Sequence, residues 1–191
     1  MYRTMKGLVP ALFLDRDGVV NSEIGYLCKP EHVRFMPGLF DLCRAARSRG
    51  HKIIIVTNQA GIARGLYSEV DFHSLMQWMT EQFARERIQL DGYYFCPHHP
   101  EHAVARYRKD CPDRKPQPGM ILRAAREHGI DLAQSLLVGD RCSDIQAGAA
   151  AGVRQLILLA GTERGPCKLA AHHVVVPTLT EVSAFISSDA V

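Results

Sequence analysis

Much that would mark a membrane, secreted or nucleic-acid-binding protein is missing from this chain. No apolar run approaches the length of a membrane span, and the N-terminus lacks the apolar core of a signal peptide. Neither sign of charge dominates: 23 basic and 20 acidic residues leave a balance of +3, too small to imply a nucleic-acid or membrane partner. There is no internal repeat and no low-complexity tract. The six cysteines, at 28, 43, 96, 111, 142 and 167, are too sparse for a secreted disulfide scaffold. What is present is 191 residues, 47% apolar and 23% charged, enough to bury a full core as one domain over 1–191. The expectation is a cytoplasmic protein with reduced thiols and, without an obvious exposed apolar stripe, a monomer.

Apolar periodicity alternates between strand and helix. Val9–Leu14 reads as a first strand. Leu39–Arg49 places Leu39, Leu42, Cys43 and Ala46 on one helical face and stops at Gly50. The β-branched run in Lys52–Val56 predicts a strand buried on both faces. Ser68 with Asp71 resembles a capping box, opening a helix to about Arg87 whose apolar face carries Phe72, Leu75, Met76, Met79 and Phe83. Trp78 lies off that face and is expected to cover a neighbouring segment. Gly92–Phe95, Ser135–Val138, Gln155–Leu159 and Val174–Val176 read as further strands. Met120–His128, closed by Gly129, reads as a helix; Ser143-x-x-Gln146 is expected to cap a small-residue helix ended by Gly152, and Thr178-x-x-Glu181 the last one. Strands separated by helices predict a parallel, three-layer α/β/α fold. Residues 96–118 have no periodicity and are long for a structureless connection, so they need an organiser of their own.

The first strand ends in Asp15-Arg16-Asp17-Gly18. Two carboxylates so close at the end of a buried strand repel unless a cation lies between them. The carboxyl ends of parallel strands are where ligands sit in open α/β sheets. Other polar groups fall at matching places: Thr57-Asn58-Gln59 after the second strand, Lys115 in Arg114-Lys115-Pro116 ahead of the Met120 helix, and Gly139-Asp140 with Asp144 beyond. A turn, a helix start or a surface lysine would explain each alone; together they converge on one crevice. Asp15 can attack phosphorus to form an aspartyl-phosphate. Asp17 can protonate the leaving alcohol and later deprotonate the attacking water. A phosphate dianion facing these groups needs countercharge. Asp15, Asp140 and the main-chain carbonyl of Asp17 are hard ligands that suit Mg²⁺. Lys115 supplies a fixed cation, and Thr57 can donate to a phosphoryl oxygen.

In this order, D-R-D-G, T-N-Q-x-G-I-A-R-G, R-K-P and G-D-x-x-x-D resemble the four motifs of the haloacid dehalogenase superfamily. The chain is similar in particular to its D-glycero-D-manno-heptose-1,7-bisphosphate phosphatases, from about Ala11 to Leu159. That likeness is carried by Gly25-Tyr26, Thr57–Gly65, Cys96-Pro97-His98-His99-Pro100 and the short spacing between motifs. It implies a Rossmann-like fold with a minimal cap. It also implies a Mg²⁺-dependent phosphatase that takes the 7-phosphate from a heptose bisphosphate, in the making of nucleotide-activated heptose for lipopolysaccharide core or S-layer. Asp15 would be the nucleophile, Asp17 the acid/base, Thr57 and Lys115 the groups that steady the phosphoryl, Asp140 a Mg²⁺ ligand, and Arg114 a recogniser of the sugar phosphate. Glu23, Ile24, Gly25, Tyr26, Asn58, Gln59, Ala60 and Arg141 match substrate-contacting positions. Asp144 matches the last motif acid and is expected to cap a helix or support the site. Two rivals stand beside this reading: a histidinol-phosphate phosphatase, whose domain is related and has a similar zinc loop, and a non-catalytic zinc-stabilised binding module.

Cys96-x-His98 and Cys111-x-Asp113 bracket the unpatterned loop and read as a structural zinc site. In the family that the chain resembles, the fourth ligand is normally Cys. With Asp113 there, the formal ligand charge is kept but a soft thiolate is exchanged for a harder oxygen, so weaker zinc retention is expected. His99, His102 or water at the fourth place, a metal-free loop, or a Cys96–Cys111 disulfide are the alternatives; the expected compartment disfavours the disulfide. The loop runs directly into Arg114-Lys115, so whatever fixes it also fixes the phosphate cation.

Overall fold

The computed structural model describes residues 7–161 and 172–186; Cys167 lies outside them. Six strands, β1 (Ala11–Leu14), β2 (Lys52–Asn58), β3 (Gly92–Cys96), β4 (Leu136–Gly139), β5 (Gln155–Leu159) and β6 (Val174–Val176), form one sheet in the order β3-β2-β1-β4-β5-β6. Every pairing is parallel. Side chains alternate across the sheet with a period of two. Leu12 and Leu14 face one core, built with α1 (Leu39–Ser48), α3 (Glu69–Arg85) and α6 (Leu179–Val182). Ala11 and Phe13 face the other, built with α4 (Gly119–His128) and α5 (Cys142–Ala151). Helices on both sides explain why β1 reads as an unbroken apolar run, and they give the three layers expected.

The topology places the site. From β1 the chain adds β2 and β3 on one side, then crosses to β4 on the other. The carboxyl ends of β1, β2 and β4 therefore lie side by side at the switch point, where such sheets open a crevice.

The apolar faces are buried as read: Leu39, Leu42, Cys43 and Ala46 in α1, and Phe72, Leu75, Met76, Met79 and Phe83 in α3. The Ser68–Asp71 box forms both its bonds, Asp71 N–H to Ser68 Oγ at 3.1 Å and Ser68 N–H to Asp71 Oδ2 at 2.8 Å. Trp78 stacks on Phe35, with ring centres 6.1 Å apart and 3° between planes. Boundaries moved for physical reasons. Pro10 has no N–H to give a ladder, and Val9 makes only an isolated bridge to Ile130, so β1 starts at Ala11. α3 ends at Arg85 because Arg87 adopts φ +59°. β2 runs on to Asn58, carrying Thr57 into the sheet.

Two expected caps are corrected. Ser143-x-x-Gln146 does not cap α5: the helix starts at Cys142, and Asp144 reaches back to the Arg141 N–H at 3.0 Å. The Thr178 hydroxyl donates to the Glu181 carboxylate at 3.1 Å instead of accepting from the backbone of α6. A short helix, α2 (Ala60–Ala63), has no counterpart in the periodicity. The long loop is pinned through a 3₁₀ turn, Ala105–Tyr107, with the Tyr107 hydroxyl on Glu69 at 2.8 Å and the Val104 N–H on the Ala63 carbonyl at 2.7 Å. Among the described residues, no helix is long and apolar enough to cross a membrane.

Candidate active site

The end of β1 drops Asp15 into the crevice, its N–H held by the Val138 carbonyl of β4 at 3.0 Å. Lys115 arrives from the long loop and is itself buried. Its Nζ lies 2.7 Å from Asp15 Oδ1, 2.6 Å from Asp144 Oδ1 and 2.8 Å from the Val56 carbonyl. The lysine is positioned by β2: Asn58 Oδ1 accepts from the Lys115 N–H at 3.0 Å, and Asn58 Nδ2 donates to its carbonyl at 2.9 Å. Asn58, matched by resemblance to substrate contact, thus grips the loop at Lys115 from both sides of that residue. Asp144 joins two elements, with one oxygen on the α5 N-terminus and the other on Lys115.

Asp15, Asp140 and Asp144 are all buried and offer oxygens within 4.8 Å of one another. The Lys115 ammonium pairs with Asp15 and Asp144, and Asp140 lies beside them. Burial holds the Asp15 carboxyl well above the usual carboxylate range; Asp144 and Asp140 push the same way, against Lys115. Burial alone would lower Lys115, but Asp144 and Asp15 hold its ammonium above the usual lysine range. Oxygen donors with excess negative charge in a buried site are the set that a hard divalent cation fits. Gly18 and Gly139 make the packing possible. A Cβ on Gly18, at φ +90°, would lie 2.2 Å from Asp140 Oδ2, and one on Gly139 2.2 Å from Asp144 Cβ. The glycines of D-x-D-G and G-D-x-x-x-D are thus steric requirements of the acidic group.

The Asp17 carboxylate is not a member of that group. It accepts from Arg16 at 3.1 and 2.8 Å, from Asn21 Nδ2 at 3.1 Å and from Gln59 Nε2 at 3.1 Å. Gln59 also donates to Thr57 Oγ1 at 2.8 Å and accepts from the Tyr67 hydroxyl at 2.5 Å. The side chains of Asp15 and Asp17 therefore have separate partners: one faces Lys115, the other a neutral amide relay beside a buried arginine.

A cleft of about 620 Å³, within the usual range for small-molecule sites, is lined by Asp15, Asp17, Thr57, Lys115 and Asp144. Glu23, Gly25, Tyr26, Asn58, Gln59, Ala60, Arg114 and Arg141 also line it. Of the expected residues, Asp140 is wholly buried, and Ile24 is half exposed and not on the lining. Tyr67, Arg64, His99 and Ser143 line the cleft without having been expected there. Arg64 stands inside T-N-Q-x-G-I-A-R-G and His99 inside Cys96-Pro97-His98-His99-Pro100, so both could have been read from those motifs; Tyr67 has no motif spacing. At the rim, Arg141 Nη2 pairs with Glu23 Oε2 at 3.1 Å. Arg114 donates to the His98 carbonyl at 2.9 Å, and burial holds its guanidinium below the usual arginine range.

The loop brings Cys96, His98 and Cys111 together, with ligand atoms within 4.8 Å of one another. Two sulfurs and an imidazole are a zinc-type donor set. Asp113, expected as the fourth ligand, lies outside this group, its carboxylate paired with Arg123 on α4 at 2.8 Å. His99 Nδ1 is also committed, accepting from the N–H groups of Glu101 at 3.2 Å and His102 at 3.0 Å. Cys28, Cys43, Cys96 and Cys111 are free thiols, but Cys142 is disulfide-bonded, against the reduced state expected throughout.

Known proteins share this arrangement. A HAD-hydrolase-like family profile matches residues 113–182. The chain is 51% identical to the D-glycero-alpha-D-manno-heptose-1,7-bisphosphate 7-phosphatase of Burkholderia mallei, over 86% of this chain and 87% of that one. It is 44% identical to the D-glycero-beta-D-manno-heptose-1,7-bisphosphate 7-phosphatase of Escherichia coli K12, over 79% of each. A HAD-like phosphatase of Mesorhizobium loti superposes with a TM-score of 0.83 at 33% identity, covering 97% of this chain and 90% of its own. The D,D-heptose 1,7-bisphosphate phosphatase of B. bronchiseptica, crystallised with magnesium and phosphate, superposes with a TM-score of 0.77 at 29% identity, covering 93% and 97%. With its fold, its acid–lysine site and relatives matched over most of their length, the chain belongs to the heptose-1,7-bisphosphate 7-phosphatase family of the haloacid dehalogenase superfamily and is a phosphatase.

Proposed function

We propose that the chain hydrolyses D-glycero-D-manno-heptose 1,7-bisphosphate, releasing the 7-phosphate and leaving the 1-phosphate for the synthesis of nucleotide-activated heptose. The observation that carries the reading is Asp15 held 2.7 Å from Lys115 at the buried end of a cleft whose rim bears arginines. Asp15 attacks phosphorus; the bond to the sugar oxygen breaks, and Asp17 gives that oxygen its proton. Asp17 then takes a proton from water, which attacks the aspartyl-phosphate, freeing inorganic phosphate and restoring Asp15. Thr57 and Lys115 hold the phosphoryl oxygens, and Lys115 holds Asp15 in line. Mg²⁺ held by Asp15, Asp140 and the Asp17 carbonyl would neutralise charge on the transferring group. Support for it comes from the buried acidic group here and from the magnesium in the B. bronchiseptica relative. Cys96, His98 and Cys111 would hold a structural zinc that fixes the loop leading into Lys115.

Relatives named for either anomer match the chain, so one experiment addresses both points. Turnover of the α- and β-bisphosphates is compared with that of histidinol phosphate, at saturating Mg²⁺. The expected result is a kcat/KM at least about a hundredfold higher for one heptose bisphosphate, the scale on which a site with polar partners for its substrate rejects one lacking them. A preference for histidinol phosphate overturns the substrate; undiminished turnover in Asp15→Asn overturns the mechanism.

A further inference from the structure

We propose that Tyr67 is a positioning residue for the phosphatase reaction: acting through Gln59, it fixes the Asp17 carboxylate and the Thr57 hydroxyl together. This rests on the roles proposed above for Asp17 and Thr57. The Gln59 side chain is buried, and its amide is fully committed. One Nε2 hydrogen goes to Asp17 Oδ2 at 3.1 Å and the other to Thr57 Oγ1 at 2.8 Å. An amide nitrogen has only two hydrogens, so none is left for a substrate. Gln59 can serve both groups in one orientation only. Turned over, the amide would set Oε1 against the Asp17 carboxylate, acceptor against acceptor. The Tyr67 hydroxyl donates to Oε1 at 2.5 Å and so holds the amide in the working orientation.

The two ends of this relay gain different things. Thr57 Oγ1 accepts from Gln59, so its single hydrogen is free for another acceptor. Thr57 lines the cleft, and there that acceptor is a phosphoryl oxygen. Asp17 Oδ2 receives Gln59 beside Arg16, while Oδ1 receives Arg16 and Asn21, so the plane of the carboxylate is fixed. One phenol thus sets, through one amide, the group that moves protons and a group that holds the phosphoryl. Tyr67 is itself held in place. Its ring lies so close over Gly61 that a Cβ there would fall 2.2 Å from the tyrosine Cε1. Burial pushes its hydroxyl up to about 12, against the pull of the nearby Arg16, so at neutral pH it keeps the proton that it donates.

The test uses the full chain with Mg²⁺ and heptose 1,7-bisphosphate. Tyr67→Phe removes the hydroxyl and keeps the ring over Gly61, so the variant should fold with a melting temperature close to that of wild type. Its kcat should fall at least about tenfold, a part of the roughly 10²- to 10⁴-fold that a well-placed acid/base supplies. KM should change less than about threefold. In a Gln59→Leu background, where the relay is already cut, Tyr67→Phe should change kcat by less than about twofold. A hydroxyl that touched the substrate would keep its effect there and would act on KM. Retention of kcat in Tyr67→Phe, or the same loss with and without Gln59, overturns the role of Tyr67. Asp17→Asn separates the two levels of the argument. If it abolishes turnover while Tyr67→Phe does not, the acid/base reading stands without Tyr67; undiminished turnover in Asp17→Asn overturns both.

Discussion

Asp113 is a case in which residue spacing and residue surroundings disagree. Cys111-x-Asp113 has metal-ligand spacing, but ten residues on, at a distance along the chain that no motif encodes, Arg123 takes the carboxylate at 2.8 Å. The pair is partly exposed and worth little to stability, yet it holds the carboxylate apart from the group formed by Cys96, His98 and Cys111. Purified protein should carry one zinc per chain. Asp113→Ala should leave its retention against a chelator within about twofold, whereas Cys111→Ala should lose the metal, because thiolates supply most of the affinity of such sites. A large loss of zinc in Asp113→Ala would return the aspartate to the ligand set. The residues proposed for catalysis were more legible, because chemistry constrains them jointly. Asp15, Thr57, Lys115 and Asp140 each follow a strand or precede a helix in the sequence, and a parallel sheet has only one switch point at which to gather them. Tyr67 was not legible: its bond to Gln59 depends on Gly61 making room for its ring, a matter of packing that no pattern records.

Among the elements, α3 and even the short strands Gln155–Leu159 and Val174–Val176 lie where the sequence placed them, whereas the deviations gather near the site. The buried face of α3 follows from spacing alone. α2, four small or apolar residues between two motif positions, offers no period to read. The end of β2 shows why boundaries near a site deviate: Thr57 and Asn58 remain in the ladder because they are needed there as polar groups, against the β-branched signal that stops at Val56. Asn58 then works across elements, bonding both backbone groups of Lys115. If its part is to hold the lysine and not the substrate, Asn58→Ala should lower kcat by about 10²-fold, as small misplacements of a catalytic group do. KM should change far less. The fold should lose about 1–3 kcal/mol, from two part-buried groups left without partners. A rise in KM with kcat retained would instead make Asn58 a substrate contact.

For the molecule as a whole, the charge enclosed at the switch point decides how stability responds to pH and to metal. Asp15, Asp140 and Asp144 are buried around one ammonium. Chiefly through burial, reinforced by Asp144 and Asp140 against Lys115, the folded-state pKa of Asp15 lies above its ordinary value of 3.8. The folded protein thus binds this proton more tightly than the unfolded chain does. The stability this contributes is complete below the unfolded pKa and is lost as pH rises through the raised folded value. Asp15→Asn has no proton to lose. Without metal, the melting temperature of wild type should therefore fall relative to that of Asp15→Asn as pH is raised from about 4 to about 7, the range above the ordinary carboxylate value. Mg²⁺ held by these carboxylates would act in the opposite sense, since it would bind the folded state and favour their ionised form. At a hundred times its dissociation constant it should add about 2.7 kcal/mol, so the gap between the two proteins should narrow in wild type's favour near neutral pH. Melting curves of both proteins across pH, with chelator and with Mg²⁺, measure all of this. A gap that does not change with pH would mean that Asp15 is ionised in the folded protein without a divalent cation, and that Lys115 alone balances the site.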